Sequence, residues 1–378
     1  MKRFDTDVAV VGAGLIGSAT ALALRQRGVP VVMLERDLGG SRASGVNFGG
    51  VRRQGRSPAQ LHLAARAHPI WADLKAKIGI DGEYVRSGHI KLARSQADLA
   101  SLAAYSARVV GFDLGLEILE GRAFRERYPC FGPEIIGGSV CPGDGQANPR
   151  LVAAAYAQAA RQAGCEVIER CPVTGITREG DGFLLRCGDA VTVRARRLVN
   201  AAGAWGAGIA AALGDDIPMR VDYPTILVTE PLPPIVSVNI GIEGGGFYGR
   251  QVERGNLVMG GGFGVASGDG TSRPDSGALA RIGGRAAAIL PATRHARVIR
   301  IWAGIEGYTA DKNPFIGESA TVPGLFHAFG FSGGGFQIAP AVGEVLCELI
   351  CEGRSSTPVE AFRPDRFQQQ SAEPGRAP

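Results

Sequence analysis

The sequence predicts an α/β fold in which a dinucleotide-binding domain with a parallel sheet is interleaved with an α+β domain carrying a mostly antiparallel sheet. The first domain is predicted from residues 7–36, where strand, glycine-rich turn, helix and second strand follow one another. The second domain is predicted from residues 217–300, where short apolar strands alternate with Gly and Pro turns. A chain of 378 residues is also too long for one simple core.

The first of these segments carries the strongest functional signal. The β-branched run Val8–Val11 is typical of a buried parallel strand, and it leads directly into Gly12-x-Gly14-x-x-Gly17 and a helix. In this motif the first glycine makes a tight turn, the second lets backbone approach a pyrophosphate, and the third lets the helix pack on the strand. Glu35 ends the second strand. In dinucleotide-binding motifs, a carboxylate at this position binds a ribose hydroxyl. The segment predicts a Rossmann-like adenine-dinucleotide site, with a plain βαβ unit as the alternative.

Composition narrows the class of function. The formal net charge is +5, and no Lys/Arg run is long enough to predict nucleic-acid binding. No apolar run reaches the ~18 residues of a membrane span. The first strand begins too near Met1 to leave room for a signal peptide, so the predicted compartment is the cytoplasm. The seven cysteines form no CxxC pair, which predicts no metal or iron–sulfur site, and Cys347 and Cys351 are interpreted as buried thiols.

Other segments are candidates to line the dinucleotide pocket. Residues 39–56 are rich in glycine and hydrogen-bond donors, with a solvated turn as the alternative. Residues 197–203 form a second strand–glycine–helix junction, which is either one more β/α unit or a further edge of the pocket. Residues 333–335 are three glycines before a long helix, whose N-terminus favours a polar or charged ligand edge. His89 and Lys91 face one side of a predicted strand, and we interpret His89 as an ordinary strand residue.

These motifs together resemble a known family. The segments VAVVGAGLIGSATALALRQRG, SRASGVNFGG, LVNAAGAW and FGFSGGGFQ, in this order, look like flavoproteins of the D-amino-acid-oxidase type, which include glycine, sarcosine and D-amino-acid oxidases and dehydrogenases. Within that group, GVNFGGVRRQGR, GHIKLARS, VDYPTILVTEP and GGGFYGRQVERGN look most like the flavin β subunits of heteromeric dehydrogenases acting on opines, such as octopine and nopaline, or on D-hydroxyproline.

The resemblance implies the fold of the glutathione-reductase and D-amino-acid-oxidase type with bound FAD. The predicted FAD-binding domain comprises residues 1–80, 141–216 and 301–363, the substrate domain residues 81–140 and 217–300, and the tail residues 364–378. The residues that the resemblance assigns to FAD are Gly12, Gly14, Ile16, Gly17, Glu35, Arg36, Ser41, Arg42, Ala43, Ser44, Asn47, Gly49, Gly50, Val51, Val173, Ala202, Gly203, Trp205, Gly304, Ser332, Gly333, Gly334, Phe336 and Gln337.

The sequence departs from the family pattern at the substrate end. Glycine-oxidase-like members place an arginine after W-A-G-L to bind the substrate carboxylate, whereas this chain has Glu306 after Trp302-Ala303-Gly304-Ile305. A glutamate there would repel a carboxylate and favour an ammonium or guanidinium group, with a surface glutamate that has no role as the alternative. Tyr248 and either Arg52 or Arg53 are the candidates to bind the substrate carboxylate.

Three functions are compatible with these residues. The favoured one is oxidation of an amino-acid-derived amine such as an opine, by hydride transfer to flavin N5 and hydrolysis of the imine to a 2-oxo acid and an amine. The alternatives are a flavin-dependent 2-hydroxy-acid dehydrogenase, which needs a general base such as His89 or His327, and a non-catalytic subunit. The resemblance also implies a larger α subunit and a small iron–sulfur subunit, with FMN at an interface as a candidate second carrier. A self-sufficient oxidase that makes peroxide is the alternative to such a complex.

FAD is predicted to be bound without a covalent link. Relatives of the sarcosine-oxidase type attach flavin through a cysteine shortly before a Tyr-Thr pair, whereas Glu306 and Gly307 precede Tyr308-Thr309 in this chain. Acid precipitation of the purified protein should therefore leave the flavin in the supernatant. A yellow pellet would contradict the prediction.

Overall fold

The computed structural model describes residues 2–268 and 270–367, and in these residues two eight-stranded sheets organise the fold. Strands and helices are numbered here in chain order. The first sheet has the spatial order β21 (Phe315–Glu318), β22 (Leu325–Phe329), β11 (Val191–Asn200), β1 (Lys2–Val11), β2 (Val31–Leu34) and β8 (Glu166–Ile168), and β10 (Gly182–Cys187) and β9 (Gly175–Glu179) extend it beside β11. The five strands from β22 to β8 are parallel, as the sequence predicts for a dinucleotide-binding sheet.

The second sheet is mostly antiparallel, which confirms the other half of the predicted fold class. Its spatial order is β19 (Val298–Ala303), β13 (Pro224–Pro231), β16 (Asn256–Phe263), β15 (Tyr248–Gln251), β14 (Asn239–Ile242), β4 (His89–Ala93), β6 (Gly137–Cys141) and β5 (Glu117–Glu120). β14 and β4 pair in parallel, and the other neighbours pair antiparallel. Smaller ladders pair β3 (Gly50–Val51) with β7 (Gly145–Gln146), β12 (Arg220–Asp222) with β20 (Glu306–Tyr308), and β17 (Val265–Ala266) with β18 (Ser272–Arg273).

Helices cover both sheets. They are α1 (Leu15–Gln26), α2 (Ala43–Val46), α3 (Pro58–Ala72), α4 (Leu74–Ile78), α5 (Gln96–Arg108), α6 (Gly121–Arg127), α7 (Pro149–Gln162), α8 (Gly206–Ala212), α9 (Ser276–Ile289) and α10 (Gly335–Glu352). α1 packs against α7 and α10, and their apolar faces form one core with β1 and β2. A separate core joins the second sheet to α6 and α9. Within the described residues, none of these helices combines the length and apolar character that crossing a membrane requires.

Side chains along β4 point alternately to the two faces of the second sheet, which determines the residues that face the first sheet. Ile90 and Leu92 are buried in the core with α9, so the intervening His89 and Lys91 point to the opposite face of the sheet. The sequence predicts that His89 and Lys91 share a face, and the structure shows that this face lines the cavity between the two sheets. The second sheet therefore acts as the wall of a site rather than as a separate unit.

The structure corrects several predicted elements. The apolar spacing after Ser57 predicts one helix as far as Lys77, but this helix is interrupted at Asp73, whose backbone leaves the helical region. The alternation of residues 81–92 predicts one strand, but only β4 forms, because glycines with positive φ turn the chain at residues 82 and 88. The sequence also predicts a strand at residues 165–173 and a helix at residues 119–128, but β8 is shorter than that strand and β5 includes residues 119 and 120. The predicted hairpin strand 191–195 and the predicted core strand from residue 197 form one strand, β11.

Two predictions at the C-terminal end are also corrected in part. Cys347 is buried, but Cys351 is exposed because it lies in the last turn of α10. Residues 364–367 belong to the predicted tail, yet Arg366 pairs with Asp311 and Phe367 packs against Phe315. The remainder of that tail, residues 368–378, lies outside the described residues. The domain boundaries stay predictions. The boundary predicted between residues 300 and 301 falls inside the strand β19.

Candidate active site

A cavity of about 990 Å³ runs from the carboxyl ends of β1 and β2 to the inner face of the second sheet. This volume is at the upper end of the ~300–1,000 Å³ range of small-molecule and cofactor sites. The position agrees with the general rule that open α/β sheets bind ligands beyond the carboxyl ends of their strands. The cavity is therefore large enough for a dinucleotide with a substrate beside it.

Backbone lies against backbone where β1 meets α1. Gly12 has φ +103°, and a Cβ on it would lie 2.6 Å from the carbonyl oxygen of Ala201. A Cβ on Gly17 would lie 1.9 Å from the carbonyl oxygen of Gly12. Side chains at either position would separate α1 from the sheet, so both glycines are required for the turn that opens onto the cavity.

Two side chains, those of Glu35 and Ser44, accept hydrogen bonds from backbone N–H groups of this turn and its neighbours. The Glu35 carboxylate accepts backbone N–H groups of Ala13, at 2.8 Å, and Asp37, at 2.9 Å. Each of its oxygens keeps lone pairs for a further donor, such as a ribose hydroxyl. The Ser44 hydroxyl accepts the N–H of Leu15 at 2.8 Å, which places α2 over the N-terminus of α1. This arrangement suits a pyrophosphate flanked by a ribose.

One end of the cavity is closed by the Trp205 ring and the Arg36 guanidinium group. The Arg36 guanidinium stacks 3.5 Å above the ring centroid of Trp205. The turn that carries Trp205 is tied to β11 by Asn200, whose amide donates to the carbonyl of Gly206 at 2.8 Å and accepts, at 3.4 Å, from the N–H of Ala202. The second strand–glycine–helix junction is therefore an edge of the cavity.

The opposite edge is the N-terminus of α10. Ser332 has φ +49°, and its hydroxyl accepts the N–H of Thr309 at 3.1 Å. α10 has no side-chain cap, so its first N–H groups are available to a ligand. Arg56 donates to the carbonyl of Gly334 at 2.9 Å and adds a buried positive charge behind this loop. Both features favour negative charge on a ligand at this end.

Most of the residues that the sequence assigns to FAD line the cavity. They are Gly12, Gly14, Ile16, Glu35, Arg36, Ser41, Arg42, Ala43, Ser44, Asn47, Gly49, Gly50, Val173, Ala202, Gly203, Trp205, Gly304, Ser332, Gly333 and Phe336. Gly17, Val51, Gly334 and Gln337 do not line it, and their assignment to FAD stays a prediction. Gly17 packs on Gly12, Val51 is buried in the core, Gly334 binds Arg56, and Gln337 donates to the carbonyl of Ala64.

All three predicted catalytic residues, Glu306, Tyr248 and Arg52, line the cavity. A Cβ on Gly260 would lie 2.4 Å from the Tyr248 ring, so the ring lies flat over the inner face of the sheet. The Tyr308 hydroxyl donates to the Glu306 carboxylate at 3.2 Å. A Cβ on Gly333 would lie 3.7 Å from both of these groups, which places Glu306 beside the N-terminal loop of α10.

The Glu306 carboxyl is held in a low-dielectric environment. Its residual accessible surface faces the cavity rather than bulk solvent, and burial raises its pKa to about 7 in spite of the hydrogen bond from Tyr308. Burial, together with the Glu306 charge, raises the pKa of Tyr248 above its usual range. Glu306 therefore changes charge near neutral pH, whereas Tyr248 stays a neutral hydroxyl donor.

Arg52 and Arg53 occupy different environments. Arg53 does not line the cavity, because its guanidinium lies 3.6 Å from the buried Asp144 carboxylate. Arg52 lines the cavity, and in the described residues no carboxylate lies within ion-pair distance of it. Burial lowers the pKa of Arg52 from its usual value. Of the two predicted alternatives, Arg52 is therefore the one that lines the cavity, and its role toward a substrate carboxylate stays a prediction.

Several polar residues that line the cavity were not among the site residues assigned from the sequence, although His89 was considered as a general base for the alternative function. They are His89, Lys91, Asn239, Glu243, Tyr308 and Lys312. Lys91 pairs with Glu243, which follows β14. The alternation of His89 and Lys91 was a usable signal, but the sequence does not reveal which face of β4 is turned to the cavity. His327 does not line the cavity, because its ring is buried against Asp215 and Asn200.

The protein-family model described as FAD dependent oxidoreductase (DAO) matches residues 7–349. The B subunit of opine oxidase from Rhizobium meliloti is 28% identical, over 98% of this chain and 100% of that protein. The beta subunit of sarcosine oxidase from Rhizobium meliloti (strain 1021) is 27% identical, over 96% of this chain and 88% of that protein. The crystal structure of L-proline dehydrogenase from P. horikoshii superimposes with a TM-score of 0.91 at 25% identity, over 98% of this chain and 99% of that one.

Replacement of Gly14 by valine is predicted to abolish FAD binding. A Cβ on Gly14 would lie 3.0 Å from the Ser44 hydroxyl, at the point where the cavity reaches the N-terminus of α1. A branched side chain would fill the space needed for a pyrophosphate. The ratio of flavin to protein absorbance after purification measures the effect. Gly175→Val is the control, because nothing lies within 4 Å of its Cβ position. A folded Gly14→Val protein with stoichiometric FAD would show that the motif has been misinterpreted.

Proposed function

This chain belongs to the DAO family of FAD-dependent oxidoreductases, and we propose that it oxidises an amino-acid-derived secondary amine such as an opine. Two relatives are named as components of an opine oxidase and of a sarcosine oxidase, and these names support oxidation of an amine as the reaction class. One structural observation carries the proposal: Arg52 and Glu306 line the same cavity. Arg52 is a cation that has no acidic partner within ion-pair distance in the described residues, and Glu306 is a buried carboxyl group.

The charges in the cavity suit a substrate with more than one ionic group. Arg52 would bind a carboxylate, and the ionised form of Glu306 would accept an ammonium or guanidinium group. Tyr308 holds the Glu306 carboxylate in place, and Tyr248 offers a neutral hydroxyl beside it. A basic opine carries a carboxylate on each side of its secondary amine and a cationic side chain.

FAD would supply the acceptor for a hydride from the carbon beside the substrate nitrogen, and hydrolysis of the resulting imine would give a 2-oxo acid and an amine. The residues of the chain bind and orient the substrate for this reaction. Gly49, Gly50 and Phe48 line the cavity opposite the inner face of the second sheet and limit the space there. The ring of Phe48 packs on the ring of Tyr248, with 4.9 Å between their centroids. A confined space of this kind excludes water from the reacting carbon.

Anaerobic reduction of bound flavin tests the reaction class. The purified yellow protein should be bleached by an opine and should not be bleached by a 2-hydroxy acid. A 2-hydroxy-acid dehydrogenase is the second candidate, because His89 lines the cavity and could act as a general base. Bleaching by a hydroxy acid and not by any amine would replace the first proposal with the second.

Glu306→Gln is predicted to weaken binding of a guanidinium-bearing opine by about 1–3 kcal/mol at pH 8, the scale of a hydrogen bond between charged groups. Because the pKa of Glu306 is about 7, the carboxyl is mostly protonated at pH 6 and mostly ionised at pH 8. Affinity of the parent protein should therefore rise across this interval, and the variant should lack the rise. Binding is measured by titration of the flavin spectrum, with the exposed Glu318→Gln as control. Identical pH profiles in parent and Glu306→Gln would refute the role.

We also propose that the chain passes electrons to partner subunits rather than mainly to oxygen. One relative is named as a subunit of an opine oxidase and another as a subunit of a sarcosine oxidase, and these names support a heteromeric assembly. A larger α subunit and a small iron–sulfur subunit would complete it, with FMN at an interface as a carrier within reach. Turnover of the chain purified alone is compared with turnover after adding the products of neighbouring genes. Full turnover by the chain alone, with stoichiometric peroxide and no gain from partners, would contradict the assembly.

A further inference from the structure

His89 is a buried residue that presents one ring nitrogen to the substrate end of the cavity. The residue is 6% exposed, and it lines the cavity. Nδ1 lies 2.7 Å from the Oε1 atom of Gln54, whereas no hydrogen bond from the described residues reaches Nε2. A ring nitrogen at the cavity wall that has no protein partner is available to a ligand or a water molecule.

The hydrogen bonds of Gln54 determine which nitrogen of His89 carries the proton. The Nε2 atom of Gln54 donates to the backbone carbonyl of Ser139 at 3.1 Å and to the Ser139 hydroxyl at 2.7 Å. A carbonyl only accepts, so the amide nitrogen of Gln54 must face Ser139 and Oε1 must face His89. Because Oε1 also only accepts, Nδ1 of His89 must carry the proton. In the neutral ring, Nε2 of His89 is then a lone-pair acceptor.

Glycine at position 241 leaves this acceptor open to the cavity. Gly241 lies on β14 and lines the cavity, and a Cβ there would be 3.1 Å from Nε2 of His89 and 3.5 Å from Cε1. Its φ is not in the positive region reserved for glycine, so the backbone does not require a glycine at this position. The absence of a side chain provides space in front of Nε2.

The charged neighbours of His89 keep its ring neutral and make this part of the cavity electrostatically favourable for an anion. Burial, then the charges of Arg52 and Lys91, lower the pKa of His89 well below its ordinary value. The Nη1 atom of Arg52 and the Nζ atom of Lys91 both lie within 4 Å of the point that a Cβ on Gly55 would occupy. Lys91 is already paired with Glu243, so Arg52 keeps the excess positive charge.

We propose that Nε2 of His89 accepts a hydrogen bond from an N–H or O–H group that the substrate carries on the carbon next to its carboxylate. This inference rests on the proposed function, since it assumes that the carboxylate binds Arg52. A 2-amino acid or its N-substituted derivative places the amine nitrogen on the carbon bonded to the carboxylate. The same geometry admits a 2-hydroxy acid and rejects a compound with no donor at this position. His89 is then a residue that determines specificity.

Two anions that cannot be oxidised test the proposal, because neither has a hydrogen on the carbon next to the carboxylate. 2-Hydroxy-2-methylpropanoate has a hydroxyl donor, and 2-methoxy-2-methylpropanoate has none. Their affinities for the FAD-loaded protein are measured by titration of the flavin spectrum. We expect the parent protein to prefer the hydroxy acid, and Gly241→Ala to reduce that preference about three- to tenfold, the range expected for one hydrogen bond.

Two further variants separate recognition from a structural effect. His89→Phe should lose the preference to the same extent as Gly241→Ala. Gly249→Ala is the matched control on β15, where a Cβ would make ordinary contacts of 3.4–3.5 Å away from the cavity, and it should keep the preference of the parent. Long-range ¹H–¹⁵N NMR spectra of the ¹⁵N-histidine-labelled holoenzyme should show Nδ1 of His89 protonated and Nε2 unprotonated at pH 7. This readout does not depend on turnover.

An unchanged preference in both Gly241→Ala and His89→Phe, or a protonated Nε2 in the parent protein, would overturn the role of His89. Failure of the proposed function has a different signature. In that case no amine bleaches the parent flavin, whatever the two anions show. If bleaching by an amine is observed while the ligand preference is insensitive to both variants, amine oxidation stands and the inference about His89 fails.

Discussion

The approach of backbone to backbone at the carboxyl end of β1 is the constraint on which the rest of the structure depends. α1 can lie against β1 only because Gly17 has no side chain to meet the carbonyl of Gly12. α10 in turn packs directly on α1, where a Cβ on Gly343 would lie 2.5 Å from the backbone of Ala19. The two close contacts bring both helix N-termini to the edge of one cavity, and that geometry suits a cofactor with a pyrophosphate at one end and a reducible ring at the other.

Buried positive charge is the second feature that organises the site. Arg56 and Arg250 are held by backbone carbonyls and amides, and in the described residues no carboxylate lies within ion-pair distance of either. Burial lowers the pKa of Arg56 to about 9 and that of Arg250 to about 10. Such charges are unfavourable in isolation. They would be favourable around a cavity that receives an anionic cofactor and, as we propose, a carboxylate substrate. Glu306, when ionised, would reduce this preference for anions beside it.

Motifs that depend on backbone geometry were predictable from the sequence, and contacts that depend on long-range packing were not. Gly12 and Glu35 could be assigned because a strand, turn and helix in one continuous segment allow few arrangements. Phe336 and Gln337 are neighbours on α10, yet Phe336 lines the cavity and Gln337 donates to the carbonyl of Ala64, so a shift of one position on a helix is enough to turn a side chain away. Lys91 and Glu243 are 152 residues apart, and only the parallel pairing of β4 with β14 brings them together. Propensity does not encode that pairing.

A crystal structure of the chain purified with its flavin tests the central claim most directly, namely that one cavity between the two sheets holds both FAD and substrate. The account predicts the pyrophosphate against Gly12 and Gly14, the pyrimidine edge of the ring beside Ser332 and Gly333, and an open face of the ring turned to Tyr248 and His89. A flavin ring on the outer side of the second sheet, or a ring whose face toward Tyr248 is closed by protein, would contradict it.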